Sequence, residues 1–197
     1  MKLVLASGNA GKLVELRDVL GARGFELVAQ GKLGIDDIDE TGTTFVENAL
    51  LKARHAARVS GLPALADDSG LCVDGLGGAP GLRSARYAGP HGDAAANRAK
   101  LLDALAGQPE HARSAHFHCT VVMLQAADDP APLIAEGRWH GRILDAPRGE
   151  RGFGYDPLFL DPAHGLAAAE MDAALKNRIS HRGRALAALL RLLDGRD

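Results

Sequence analysis

Cysteine, aromatic residues and long apolar runs are all scarce in this chain. Its 197 residues include 2 cysteines, and aromatic side chains make up 4%. Cys72 and Cys119, with no CxxC spacing, exclude a disulfide framework and a thiolate metal knuckle, so a reducing compartment is expected. No stretch approaches the ~20 apolar residues of a membrane span. The run from Leu3 to Ala6 is too short for the core of a secretion signal, so the expected location is the cytoplasm, without membrane contact. Excess positive charge is missing too. With 23 basic against 25 acidic residues and a formal charge of −2, the chain has no electrostatic footprint for nucleic acid, although a small phosphorylated ligand needs only a few local cations. What is present is an ordinary globular composition, 46% hydrophobic, at a length that supports one domain over residues 1–197.

Strands and helices alternate from the start. KLVLA (2–6) reads as a buried strand, and Asn9 as the cap of a helix to about Leu20 with Leu13, Leu16 and Leu20 on one face. FELVA (25–29) is a second strand, and GKLGIDDIDETGTT (31–44) an acidic loop. A helix over 45–59 follows, with Phe45, Ala49, Ala53 and Ala56 facing inward and Thr44 and Glu47 forming a capping box. PALADDSG (63–70) reads as a strand ending in two aspartates, and GLGGAPG (75–81) as a turn. Asp93 opens a helix bearing Leu101, Leu102 and Leu105. Two long strands are expected over 112–124 and 132–144, then a glycine-rich loop over 148–157. A final helix covers 180–193, with Leu186, Leu189, Leu190 and Leu193 on one face. Such alternation predicts an α/β architecture.

The turn LASGNAGK (5–12) suggests a phosphate cradle, yet it is no P-loop: Ala6 stands where the first glycine belongs and Leu13 follows the lysine. A strand, a glycine turn and a helix N-terminus still present backbone N–H groups and a positive dipole end to phosphate, with Lys12 adding a charge. The alternative is a glycine-permitted turn with a solvated lysine. Asp67 and Asp68 point to opposite faces of their strand, since strand side chains alternate. They offer either a carboxylate for Mg²⁺ or a capped turn. Of the acidic loop, Glu40 lies nearest the second helix and is the one suited to share a metal with Asp68. Lys52 is a solvated charge or a second phosphate ligand. His116 and His118 share a strand face without further ligands for zinc, which favours packing over metal binding. GFGYDP (152–157) offers aromatic faces and an acid in a flexible loop, a platform for a purine. KNRISHRGRA (176–185) gathers Lys176, Arg178, His181, Arg182 and Arg184 around the start of the final helix, as a polar-ligand site or a basic solvated turn.

SGNAGK, the ETG-TF-ENA-LKA run, ADDSG, GAPG-SARY, FGYDP and SHRG occur in that order. Together they resemble the inosine/xanthosine triphosphate pyrophosphatases (dITP/XTP pyrophosphatases), a resemblance that covers essentially the whole chain. It implies an elongated α/β fold with a long mixed central sheet, flanking helices and two lobes around a nucleotide cleft, in a homodimer. It implies Mg²⁺-dependent hydrolysis of ITP, dITP and XTP to monophosphate and pyrophosphate. By position, Ser7, Gly8, Asn9, Ala10, Gly11 and Lys12 would hold phosphates, and Lys52 would be a further substrate ligand. Asp68 would be catalytic and bind metal with Glu40. Ser69, Phe153, Gly154, Tyr155, Asp156, Lys176, His181 and Arg182 would line the nucleotide site. Ser7 stands where many relatives carry threonine, and either hydroxyl can donate to phosphate. The rival readings are a nucleotide pyrophosphatase of the septum-inhibitor type and a non-catalytic nucleotide-binding regulator.

Overall fold

In the first strand, β1 (Lys2–Leu5), alternate side chains go to opposite faces and both faces are covered after the exposed Lys2, so Leu3, Val4 and Leu5 are all apolar. The computed structural model describes residues 1–7, 10–90 and 92–195, and of Ala10, Gly11, Val14, Glu15 and Asp18 the backbone alone. Asn9, expected to cap the first helix, lies outside the described residues. Helix α1 (Ala10–Gly21) is followed by β2 (Glu26–Ala29), a 3-10 turn at Gln30–Leu33 and the acidic loop. Helix α2 (Phe45–Ser60) begins at the expected capping box and ends at Gly61, whose φ of 68° suits the left-handed cap. Then come β3 (Ala64–Val73), α3 (Ala94–Ala104) capped by Asp93, β4 (Ser114–Leu124) and β5 (Leu133–Ile143). The last elements are β6 (Phe159–Asp161), β7 (Leu166–Ala167), α4 (Ala173–Ile179) and α5 (His181–Asp194).

The strands form one mixed seven-stranded sheet in the order β2-β1-β3-β4-β5-β6-β7. β1 runs parallel to β2 and β3, while β6 is antiparallel to β5 and β7. The chain divides into two compact units. The first holds Met1–Asp68, Cys119–Gly137 and the chain from Arg184 on; the second holds Ser69–His118 and Arg138–Gly183.

In the first unit the odd-numbered strand residues Leu3, Leu5, Leu65, Val121 and Met123 pack with Leu16 and Leu20 of α1 and Leu186 and Leu189 of α5. The even-numbered Val4, Ala64, Ala66, Val122 and Leu124 pack with Ala49, Ala53 and Ala56 of α2. The alanine stripe lets α2 lie close to the sheet, while Phe45, expected to face inward, is only half-buried. The second unit is built on Leu71, Val73, Phe117, Trp139, Tyr155 and Phe159. Among the described residues no helix is long and apolar enough to cross a membrane.

Two expectations are corrected. The aspartate pair does not end its strand: β3 continues for five residues beyond Asp68 to Val73. Ser69-Gly70 looked like a turn, but Gly70 is there for close approach. A Cβ on it would sit 2.3 Å from the carbonyl oxygen of Gly81, and the neighbouring Leu71 N–H donates to Ser84 Oγ at 2.9 Å. The basic run 176–185 is also not one helix start. Lys176 and Arg178 belong to α4, and the extended Ser180 separates them from His181 in α5.

Candidate active site

Strand parity decides where the two aspartates point. Asp67 is odd, like Leu65, and therefore faces α1; Asp68 is even, like Ala66, and faces α2. Lys12, in the first turn of α1, donates to Asp67 Oδ2 at 2.8 Å, with the aspartate side chain fully buried. Asp68 meets two residues one helical turn apart on α2. Lys52 Nζ lies 2.9 Å from Oδ1, and the amide nitrogen of Asn48 lies 3.5 Å from Oδ2. Lys52 Nζ also bonds Glu40 Oε1 at 2.7 Å. One cation therefore draws carboxylates from the acidic loop and from β3 to a single point.

Burial pushes the Asp68 carboxyl above its usual range; Glu40 adds to that push, and Lys52 and Lys12 oppose it. For Lys52, burial works against the charged form, but the carboxylates of Asp68, Asp67 and Glu40 outweigh it and raise its pKa. A carboxylate that is ionised yet keeps an elevated affinity for protons suits an acceptor of a proton from water. Two hard oxygen donors converging where an ammonium now sits also match the chemistry of a divalent cation such as Mg²⁺, which takes one or two carboxylates and completes its shell with phosphate oxygens.

In the second unit, Asp156 is the organising group. It is buried, and its Oδ2 accepts from Lys176 Nζ at 2.6 Å and from the Phe153 N–H at 2.8 Å. The Phe153 ring is 40% exposed, with Lys176 Nζ 5.0 Å and the Arg182 guanidinium carbon 5.8 Å from its centroid. His181 is buried and stacks on Phe117 at 4.7 Å and 13°. The two aromatics of GFGYDP differ in placement. Tyr155 is buried and its hydroxyl donates to the Ser84 carbonyl at 2.9 Å, so its ring belongs to the core and Phe153 is the face presented to solvent.

Of the remaining expected residues, Ser7 is half-buried just after β1, Ser69 half-buried within β3, and Gly154 is the residue whose carbonyl anchors the aromatic loop. Ala10 and Gly11 open α1, while Gly8 and Asn9 lie outside the described residues. The structure also brings in residues that the spacing did not single out. Asn48 reaches Asp68, and Arg98 of α3 donates to the Gly154 carbonyl at 2.8 Å. Asn48 carried one signal, its position four residues before Lys52 on the same helix face. Arg98 carried none, because its partner is 56 residues away. Of the histidines of β4, His116 lies beside His140, with ring centroids 5.4 Å apart, and His118 is buried.

One unit of this α/β protein thus carries paired lysines and carboxylates, and the other a solvent-facing ring flanked by cations. The chain belongs to the Ham1 family, whose sequence model matches residues 3–192, and the resemblance drawn from the ordered motifs is borne out. It is 67% identical over 187 residues to a dITP/XTP pyrophosphatase of Xanthomonas campestris pv. campestris, covering 95% of this chain and 94% of that protein. To the dITP/XTP pyrophosphatase of Vibrio cholerae it is 51% identical over 193 residues, covering 98% and 96%. Among solved structures, a HAM1 protein from Coxiella burnetii superposes with a TM-score of 0.92 at 49% identity, covering 99% of each chain. The Ham1 protein of Staphylococcus aureus superposes with a TM-score of 0.89 at 36% identity, covering both chains completely.

Proposed function

We propose that this protein hydrolyses ITP, dITP and XTP between the α- and β-phosphates, releasing the nucleoside monophosphate and pyrophosphate and so clearing deaminated purines from the nucleotide pool. Membership of the Ham1 family and the names of the curated relatives support the reaction class. The single observation that carries the reading to this chain's own residues is the convergence of Glu40 and Asp68 on one cation position, 2.7 and 2.9 Å from Lys52 Nζ.

Glu40 and Asp68 would hold Mg²⁺. When bound, the ion supplies charge neutralisation on the phosphate oxygens. Asp68, raised in proton affinity by burial, orients a water toward the α-phosphorus and takes its proton as the P–O bond forms. The bond to the bridging oxygen breaks, and its electrons leave with pyrophosphate. Lys12, held in place by Asp67, meets that growing negative charge together with the N-terminus of α1, and Lys52 adds a second ammonium. Little covalent work falls to the protein in such a transfer.

Phe153 provides a stacking face indifferent to base identity, and His181, Arg182 and the backbone around them provide donors toward the 6-keto oxygen of hypoxanthine and xanthine. Adenine presents an amino group there, which leaves such donors unpaired, and a site built to hydrogen-bond rejects the mismatched analogue by up to ~10⁴-fold. The reading includes one catalytic domain over the whole chain, a cytoplasmic location and a homodimer without nucleic-acid or membrane partners; sedimentation checks the dimer.

The test is phosphate release from ITP, XTP, GTP and ATP with and without added inorganic pyrophosphatase. Phosphate from ITP and XTP that appears only with the added enzyme supports the reading. Equal turnover of ATP and ITP would overturn it.

A further inference from the structure

The Glu40 loop is attached to α2 through a run of backbone N–H groups. Thr44 N donates to Glu47 Oε2 at 2.9 Å as half of the capping box, and Thr43 N adds a bond to the same oxygen at 2.7 Å. Gly42 N donates one residue further in, to Asn48 Oδ1, at 2.8 Å. Because that N–H requires an acceptor, the chemistry settles which end of the Asn48 amide is oxygen. The amide nitrogen is thereby turned the other way, toward Asp68 Oδ2 at 3.5 Å. Asn48 is 2% exposed, so neither end of its amide has water as a ready substitute. The loop approaches it as closely as a chain can. A Cβ on Gly42 would stand 2.6 Å from Asn48 Oδ1 and 2.7 Å from Glu47 Cβ.

A helix cap explains Glu47 and Thr44, but it does not require a buried amide at 48 or a residue without a side chain at 42. Glu40 lies two residues before Gly42, and Asp68 is the other group the amide addresses. We infer that Asn48, seated against Gly42, is a positioning residue that sets the separation of the Glu40 and Asp68 carboxylates. One rigid amide grips the loop that carries the first and the side chain of the second. Lys52, one turn along the same helix, lies at the point where they meet. The inference rests on the reading above that Glu40 and Asp68 hold a divalent cation. Groups that orient ligands in this way are worth about 10–100-fold in metal affinity.

The probe is Mn²⁺ alone, with no nucleotide, its free fraction followed by electron paramagnetic resonance on wild type, Asn48→Ala, Gly42→Ala and Glu40→Gln. Gly42→Ala reaches the same contact from an outer loop, so it keeps the test open if Asn48→Ala folds poorly. Melting curves identify which variants are folded. The expected result is a rise in the Mn²⁺ Kd of about 10-fold for both Asn48→Ala and Gly42→Ala. A parallel rise is expected in the Mg²⁺ concentration needed for half-maximal ITP hydrolysis, with the ITP-over-ATP ratio unchanged. Folded Asn48→Ala and Gly42→Ala with wild-type Kd, beside a weakened Glu40→Gln, would overturn the positioning role and leave the metal reading standing. A Glu40→Gln variant that binds Mn²⁺ like wild type would overturn both.

Discussion

The two units hold their polar groups in different proportions of charge and backbone. In the first, charge fixes charge: Lys12 lies 2.8 Å from Asp67, and Lys52 lies 2.9 Å from Asp68 and 2.7 Å from Glu40. In the second, one buried ion pair, Lys176 with Asp156 at 2.6 Å, supports a loop anchored group by group: Phe153 N–H on Asp156, the Gly154 carbonyl on Arg98, the Tyr155 hydroxyl on the Ser84 carbonyl. A buried charge is tolerable only when paired, so the first arrangement responds to any change of charge even where shape is kept. An exposed ring contributes contact area, so the Phe153 face of the second responds to truncation. Under the proposed function these are the demands of a triphosphate and of a purine.

The contrast breaks most visibly at Asp68. Asp68→Asn keeps the shape and removes the charge, and kcat for ITP is expected to fall at least ~10²-fold at saturating Mg²⁺. Asp67→Asn is expected to cost less, because Asp67 acts through Lys12. The reverse order would reassign the pair. Lys12→Ala is expected to raise KM and lower kcat, for a loss of kcat/KM on the order of 10²-fold, since its charge matters most as the leaving pyrophosphate forms. An unchanged kcat/KM would reduce Lys12 to the structural counter-charge of the buried Asp67.

In the second unit the expected effects are smaller and of a different kind. Phe153→Ala is expected to weaken all purine triphosphates alike, by roughly 10-fold, the usual scale of one base–aromatic contact. His181→Ala and Arg182→Ala are expected to narrow the ITP-over-ATP ratio instead. The measurement is kcat/KM for ITP, XTP, GTP and ATP on each variant. A ratio that survives both changes would move selectivity to backbone groups.

The smallest effect is one of stability and concerns Tyr155. Burial pushes its phenol well above the ordinary value near 10, so the folded state keeps its proton where the unfolded chain gives it up. Unfolding then releases protons, and stability falls as pH rises past ~10. Tyr155→Phe is expected to cost ~1 kcal/mol at neutral pH through the lost bond to the Ser84 carbonyl. The gap between variant and wild type should close as pH climbs from 9 to 11 in urea melts. A constant gap would mean that the phenol ionises equally in both states.

The elements with a long period were legible. The Leu13, Leu16 and Leu20 stripe, the alanine face of α2 with its Thr44–Glu47 box, the Asp93 cap and the two 11-residue strands all lie where spacing put them. Strands β6 and β7 have 3 and 2 residues and α4 has 7, too short for any period to show. The aspartate pair and its alternation are legible in the spacing, but Ser69-Gly70 disguises the continuation of β3. Glycine there answers a neighbour 11 residues away, the Gly81 carbonyl, and not a local turn.

The sequence alone therefore determined the α/β class, the family and the set of residues that carry charge, because these follow from local periodicity and from ordered motifs. Tertiary structure decided which charge meets which. Asp67 belongs to Lys12 and Asp68 to Lys52 because β3 lies against α1 with one face and α2 with the other. Of two aromatics two residues apart, Phe153 is the exposed one because Asp156 and Ser84 hold the loop in that orientation. Pairing is a property of distance in space, and residues as far apart as 12 and 67 become neighbours only when a sheet and its helices have closed around a common core.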